Sequence, residues 1–396
     1  MMKKLNDSVG TKGQSKVKAS AVLLGLLSFV MAGCSHPSDS IGKVETATQA
    51  SLSIGVVLPY EGRFAGYGEE GKQGIELAVK HATEMNVSVV YADSKGDAAD
   101  AVRGIRKIID QNKVDAVIGE VLSANTFAMA PVAQELKRPL VVPASTAEGI
   151  TDAGDFVMRV CFLDPEQGSA MAAYAKNKLN ITKVALLFEK SNDYSAGLAE
   201  AFRKAFTALG GTIVGEAYIQ ASDPDMRAHL IKVRDLKPEA LFIPIEYPTA
   251  GQLVKQSREL GMTMQILGSD AWNSPELFKI GGAAMDGCLL TAHFAPDSTD
   301  PAVKHFVDGF KATYGVLPAN MAALSYDAAG IIINASRRAK NATPEALKEA
   351  LLATKDFQGA TGKLTMLPNG DVSKDIMIVK LESGAFKFVE TVRPAN

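Results

Sequence analysis

The chain is poor in the residues on which most enzymes and metal proteins depend. Its 396 residues include three cysteines, five histidines and a single tryptophan. No C-x-x-C, H-E-x-x-H or G-x-S-x-G occurs, and His36, His81, His229, His293 and His305 are scattered, none with a partner at metal-ligand spacing. Zinc sites, dithiol redox chemistry and the hydrolase nucleophile elbow therefore have no basis here, and no metal or cofactor is expected. Basic tracts are missing too: 42 Lys and Arg face 44 Asp and Glu, which excludes nucleic acid as an expected partner. Past residue 33 no apolar run is long and unbroken enough to cross a bilayer. One nucleotide-like signature, Gly66-Tyr67-Gly68-Glu69-Glu70-Gly71, fits G-x-G-x-x-G, with Asp93 downstream. Its first glycine lies eight residues past Leu58, whereas a dinucleotide loop turns tightly off its strand. Glu69 and Glu70 would also put two negative charges where a pyrophosphate belongs. It is read as a coincidence.

What is present begins at the N-terminus. Five lysines (Lys3, Lys4, Lys12, Lys16, Lys18) precede an uncharged, largely apolar stretch at 19–32, and Gly33-Cys34 follows. A basic segment, a short apolar stretch and small residues at its end make an export signal. Met31-Ala32-Gly33-Cys34 resembles the bacterial lipobox, in which the cysteine thiol is acylated and becomes the first mature residue. The expectation is a signal at 1–33, a lipid anchor on Cys34 and a Ser/Thr/Ala/Gln-rich tether at 34–51, with the mature protein at work in the cell envelope. The −2 of the whole chain becomes −6 once the signal's +4 is removed. Cys161 and Cys288 remain, each in an apolar strand-like run. The envelope permits a disulfide between them, and buried free thiols are equally at home in such runs.

From residue 52 short β-branched runs alternate with amphipathic helices. Strands are expected at 53–58, 87–93, 116–118 and 140–142, with helices starting near Gly68, Ala98 and Ala124. The pattern restarts after Phe156-Val157-Met158-Arg159-Val160, with strands at 184–188, 212–219, 241–245 and 265–267 and helices near Gln167, Ser195, Met226, Thr249 and Pro275. Helical periodicity then fills 302–314, 321–339 and 344–353, before a turn at 368–371 and a strand at 376–381. Such alternation means an α/β fold with parallel sheets, here two similar doubly wound lobes without a linker between them.

In open α/β sheets ligands bind beyond the carboxyl ends of strands. After the third strand comes Leu122-Ser123-Ala124-Asn125-Thr126, and after the fourth Ala144-Ser145-Thr146-Ala147-Glu148. Small hydroxyl residues at helix starts offer an anion the Ser123 hydroxyl and free N–H groups. The same residues also read as an N-cap (Ser123) and a capping box (Ser145 with Glu148). The second lobe supplies acid after its strands, Glu246 and Asp270, each placed to pair with a ligand ammonium, although Asp270 also reads as a turn or N-cap before the Pro275 helix. Tyr67, Tyr194 and Trp272 are candidates to wall off the rest of the ligand; half-exposed surface positions are the other reading of the two tyrosines.

These segments, with Asn192-Asp193-Tyr194-Ser195, Leu267-Gly268-Ser269-Asp270-Ala271-Trp272 and Thr361-Gly362-Lys363-Leu364, follow one another in a specific order. Over about 52–389 the chain resembles the solute-binding lipoproteins of ABC importers for branched-chain amino acids, which have the type I periplasmic binding fold. The resemblance implies two lobes, 52–161 with 294–374 and 162–293 with 375–396, joined by a three-stranded hinge that closes on an amino acid and presents it to a membrane permease. It implies that Ser123 and the Thr146 N–H hold the ligand carboxylate. The Ala144 carbonyl, the Thr146 hydroxyl and Asp270 would take the ammonium, and Tyr67, Leu122, Tyr194 and Trp272 would line the side-chain pocket. A receptor for a small amide or amino-acid derivative is the alternative use of the same fold. Two departures stand out. Lys95 and Leu122 occupy positions where some relatives carry a disulfide. Glu246 stands where an aromatic residue is frequent, so a ligand bearing an amide, hydroxyl or second amine is expected to bind at least as well as leucine.

Overall fold

The computed structural model describes residues 51–392. The signal at 1–33, Cys34, the tether up to residue 50 and residues 393–396 lie outside the described residues. The first part of the chain runs β1 (Ser51–Leu58), α1 (Ala65–His81), β2 (Asn86–Asp93), α2 (Ala98–Asn112), β3 (Ala116–Gly119), α3 (Ser123–Glu135), β4 (Leu140–Val142) and β5 (Val157–Arg159). All five strands are parallel, in the order β2-β1-β3-β4-β5. Successive residues of a strand point to opposite faces. Ile54, Val56, Leu58, Ile118 and Val141 accordingly enter one core, and Val57, Val117, Leu140 and Val142 another. Both faces are covered, which is why these strands are nearly continuous apolar runs.

The chain then repeats the plan with α4 (Asp164–Asn177), β6 (Lys183–Phe188), α5 (Asp193–Ala208), β7 (Thr212–Tyr218), α6 (Arg227–Asp235), β8 (Ala240–Phe242), α7 (Tyr247–Glu259), β9 (Gln265–Gly268), α8 (Glu276–Gly281) and β10 (Leu289–Ala292). The parallel order β7-β6-β8-β9-β10 reproduces that of the first sheet. The remainder, α9 (Pro301–Tyr314), α10 (Asn320–Arg338), α11 (Pro344–Leu352), β11 (Phe357–Gly359), β12 (Gly362–Met366), β13 (Val372–Ser373), β14 (Ile376–Glu382) and β15 (Ala385–Val392), divides between the two. Helix α10 lies along α1 and against β3 and β4. The antiparallel pair β14 and β15 extends the second sheet beyond β10. The backbone thus passes between the sheets three times: after β5, after β10 and between β13 and β14. Each sheet has one place where strand order reverses, between β1 and β3 and between β6 and β8, and such places leave a crevice at the strands' carboxyl ends.

The doubly wound α/β fold expected from the sequence is present, with local differences. The strand expected over 241–245 stops at Phe242, because Pro244 has no N–H to give a ladder. Residues 66–71 lie inside α1, so the glycine signature is no strand-to-helix turn. Gly68 serves close packing there: a Cβ would come 2.0 Å from the Pro59 carbonyl oxygen. Ser123 is the first residue of α3, after an N-cap at Leu122 without a side-chain bond, and Ser145 to Glu148 begins no α-helix, so neither expected capping role is realised. Cys161 and Cys288 are buried free thiols and form no disulfide.

Candidate functional site

The two crevices face one another across a cavity enclosing about 280 Å³, mouth included, lined by Tyr67, Val121, Leu122, Ser123, Ala144 and Met321 from one side and Tyr194, Glu246, Asp270 and Ala271 from the other. The lining contains two carboxylates and no basic side chain.

Asp270 is the better supported of the two. It follows β9, is 2% exposed, and accepts three side-chain bonds: from Gln167 Nε2 (2.9 Å) and the Tyr194 hydroxyl (2.8 Å) on Oδ1, and from His293 Nε2 (3.3 Å) on Oδ2. Each donor is itself placed. Gln167 Oε1 accepts the Thr291 hydroxyl at 2.7 Å, and the Tyr194 oxygen also lies 2.7 Å from Ser269 Oγ. His293 stacks on Phe162, so residues from two of the three crossings meet behind the acid. Burial pushes the His293 imidazole down to about 4, so near neutral pH it supplies a neutral N–H rather than a charge. Asp164 shares the Gln167 amide at 2.9 Å, and burial together with the Asp270 charge pushes its carboxyl up to about 8. Asp270 is therefore surrounded by dipoles and lacks a cation, and a buried carboxylate in that state calls for a positive partner.

The opposite wall presents the start of α3. First-turn N–H groups have no intrahelical acceptor, and the macrodipole makes this end positive. Buried Glu120 takes the N–H groups of Val121 (2.8 Å) and Leu122 (2.7 Å), together with the Ser94 hydroxyl (2.5 Å), so those two N–H groups are committed and the free ones begin at Ser123. The Ser123 hydroxyl accepts Ala147 N at 3.3 Å, joining the loops after β3 and β4. Fully buried Arg159 fixes the second loop. Its Nη1 donates to the carbonyls of Ser145 (3.1 Å) and Ala147 (2.9 Å), while Nε pairs with Asp371 at 2.8 Å.

Bonds across the cleft close its mouth. The Tyr67 hydroxyl donates to the Ala271 carbonyl, and Arg63 reaches Thr249 Oγ1 and, at 2.7 Å, the Ala221 carbonyl. Ser274 Oγ donates to Glu70 Oε1 at 2.5 Å, and Asn320 Nδ2 to the Asp270 carbonyl at 3.2 Å. Burial holds the Glu246 carboxyl above the usual range, although the Asn192 amide, donating to it at 2.9 Å, and the Arg63 charge favour ionisation.

Of the residues singled out from the sequence, Tyr67, Leu122, Ser123, Ala144, Tyr194, Glu246 and Asp270 meet in this cavity. Three do not line it. Ser145 Oγ is 2.6 Å from Thr126 Oγ1 and donates to the Glu120 carbonyl at 2.9 Å, which knits the two loops together. The Thr146 side chain lies beside Asp164. Trp272 is fully buried behind the wall, its indole packed on Gly268, where a Cβ would come 2.4 Å from the ring. Tyr67 and Tyr194 are buried, not half-exposed. Sequence reasoning missed Val121, Ala271 and Met321 in the lining and Gln167, His293 and Arg159 behind it. Val121 and Ala271 adjoin residues that were read, whereas Met321 arrives on a distant helix and carries no local signal.

A sequence profile of the periplasmic binding proteins matches residues 51–385. The chain belongs to that family. As a periplasmic binding protein it works in the cell envelope. A leucine-binding protein from Thermotoga maritima superposes with a TM-score of 0.83 at 36% identity, covering 87% of this chain and 99% of that one. The substrate-binding protein of a branched-chain amino-acid transporter from Streptococcus pneumoniae, solved with isoleucine, gives 0.83 at 30% identity, over 87% of this chain and all of its own. A Leu/Ile/Val-binding protein homologue from Brucella melitensis is 29% identical over 338 residues, 83% of this chain and 90% of that protein. The two solved structures share the fold of this chain over 99% and 100% of their own lengths.

Proposed function

We propose that this protein captures an α-amino acid, branched-chain or related, between its two lobes and delivers it to the membrane permease of an ABC importer. The observation that carries the reading is Asp270, a buried carboxylate with three neutral donors and no cation, facing the positive end of α3 across one small cavity. A zwitterion satisfies both walls: its ammonium meets Asp270 and the Ala144 carbonyl, and its carboxylate meets the Ser123 hydroxyl and N–H. An acid without an amine would bring a further negative charge to Asp270 and Glu246 and leave both unpaired. The relatives named for leucine, isoleucine and valine support the amino-acid class. Segments 52–161 with 294–374 and 162–293 with 375–396 then act as lobes that close about the three crossings. Acylation of Cys34, after removal of 1–33, anchors the protein to the membrane through the tether at 34–51.

The test is calorimetric titration with L-amino acids and their α-keto analogues, which carry a carbonyl in place of the ammonium-bearing carbon. At least one amino acid should bind, and its keto acid should bind at least roughly tenfold more weakly, as expected when a buried charge is left without its partner. Equal affinity for the two would remove the ammonium from the account.

A further inference from the structure

One charged group in the cavity has no use in holding a zwitterion. Glu246 stands at the start of α7, 7% exposed, and lines the same space as Asp270. Its side chain caps no N–H of that helix. Its hydrogen bond is to a neutral amide, Asn192. Arg63, the cation that acts on it, directs its guanidinium to Ala221 and Thr249 instead. A carboxylate offers about four lone-pair sites, so Glu246 retains room for a donor coming from the cavity. The two tyrosines of the cavity are committed: Tyr67 donates across the cleft to the Ala271 carbonyl, and Tyr194 donates to Asp270. A purely aliphatic side chain pressed against Glu246 would strip water from the carboxylate and return nothing.

We propose that the cleft selects an α-amino acid whose side chain ends in an N–H donor, an amide or a second ammonium, and that Glu246 receives that donor. This assignment rests on the amino-acid reading given above. An amide would bond to one carboxylate oxygen, whereas a second ammonium would also neutralise the charge that Arg63 leaves uncompensated.

The experiment is calorimetric titration of wild type, Glu246→Leu and Glu246→Gln with leucine, asparagine, glutamine and L-2,4-diaminobutyrate. Wild type should bind a nitrogen-bearing ligand at least as tightly as leucine. The affinity ratio of that ligand to leucine should fall at least roughly tenfold in Glu246→Leu, the effect of one hydrogen bond to a charged group. Glu246→Gln separates the two sources: it keeps an acceptor oxygen, so an amide ligand retains much of its advantage while a diamino ligand loses it. This second variant also reads the ratio should the leucine variant not fold. If leucine binds more tightly than every nitrogen-bearing ligand and the ratio is unmoved in both variants, the assignment of Glu246 is overturned while the amino-acid reading stands. If none of the amino acids binds, both fall.

Discussion

At the scale of single residues, the cleft collects acids whose charge is controlled by burial. Burial pushes Glu70, which accepts the Ser274 hydroxyl across the mouth, up to about 8, with the Glu276 charge adding to the rise. In the lobe opening proposed above, Glu70 would meet water and return towards ordinary carboxylate behaviour. Closure therefore takes up a proton between about pH 4.5 and pH 8, so the closed, ligand-holding form is favoured at the acidic end and weakened as pH rises through that window. Glu70→Gln keeps an acceptor for Ser274 and removes the titration. Between pH 5 and pH 8.5 the wild-type Kd should rise at least ~10-fold more than that of Glu70→Gln, the equivalent of one pKa unit linked to closure. Parallel pH profiles of the two proteins would show that Glu70 is not linked to closure. Such residues divide by how their chemistry is written in the chain. Asp270, Glu246 and Ser123 were legible because each stands within four residues of the carboxyl end of an apolar strand, where ligands of open α/β sheets bind. Arg159 was not, because it sits within the apolar run Val157-Met158-Arg159-Val160, and its partner Asp371 is more than 200 residues away.

At the scale of elements, close approach sets the packing of α1 on α10. A Cβ on Gly74 would lie 2.0 Å from the Ala322 carbonyl oxygen, so Gly74→Ala must force the helices apart. Overpacking of this kind costs about 1–3 kcal/mol. The expected result is a lower urea midpoint with an unchanged m-value; an unchanged midpoint would mean that α10 shifts freely. The strand–helix alternation was readable over nearly the whole chain because both sheets are buried on both faces, which leaves apolar runs of strand length between helical periods. What escaped were the short strands β11, β12 and β13, together with β15, whose Lys387 and Glu390 break the apolar run, and the end of the 241–245 run, where Pro244 overrides an apolar pattern. The expected capping box at Ser145 failed for a tertiary reason: the Ser145 hydroxyl is drawn to the Glu120 carbonyl and Thr126, and residues 143–149 follow Arg159 instead of starting an α-helix.

At the scale of the molecule, one topology used twice brings two crevices face to face, and the antiparallel β14 and β15 return the chain to the second sheet. The groups that hold Asp270 come from α4, α5 and the crossing after β10, so the acid registers the placement of three distant elements at once. That convergence was invisible in the sequence, where Gln167 and His293 have no neighbours that betray them. It also makes Asp270 the most direct point at which to test the whole account. The deciding measurement is the affinity of Asp270→Ala for the amino acid that wild type binds best, by calorimetry, alongside the melting temperature of both empty proteins. Loss of one member of a desolvated ion pair costs about 2–5 kcal/mol. The account predicts binding weakened by at least roughly tenfold, with little change in the melting temperature of the empty protein. Undiminished binding by a folded Asp270→Ala protein would contradict it.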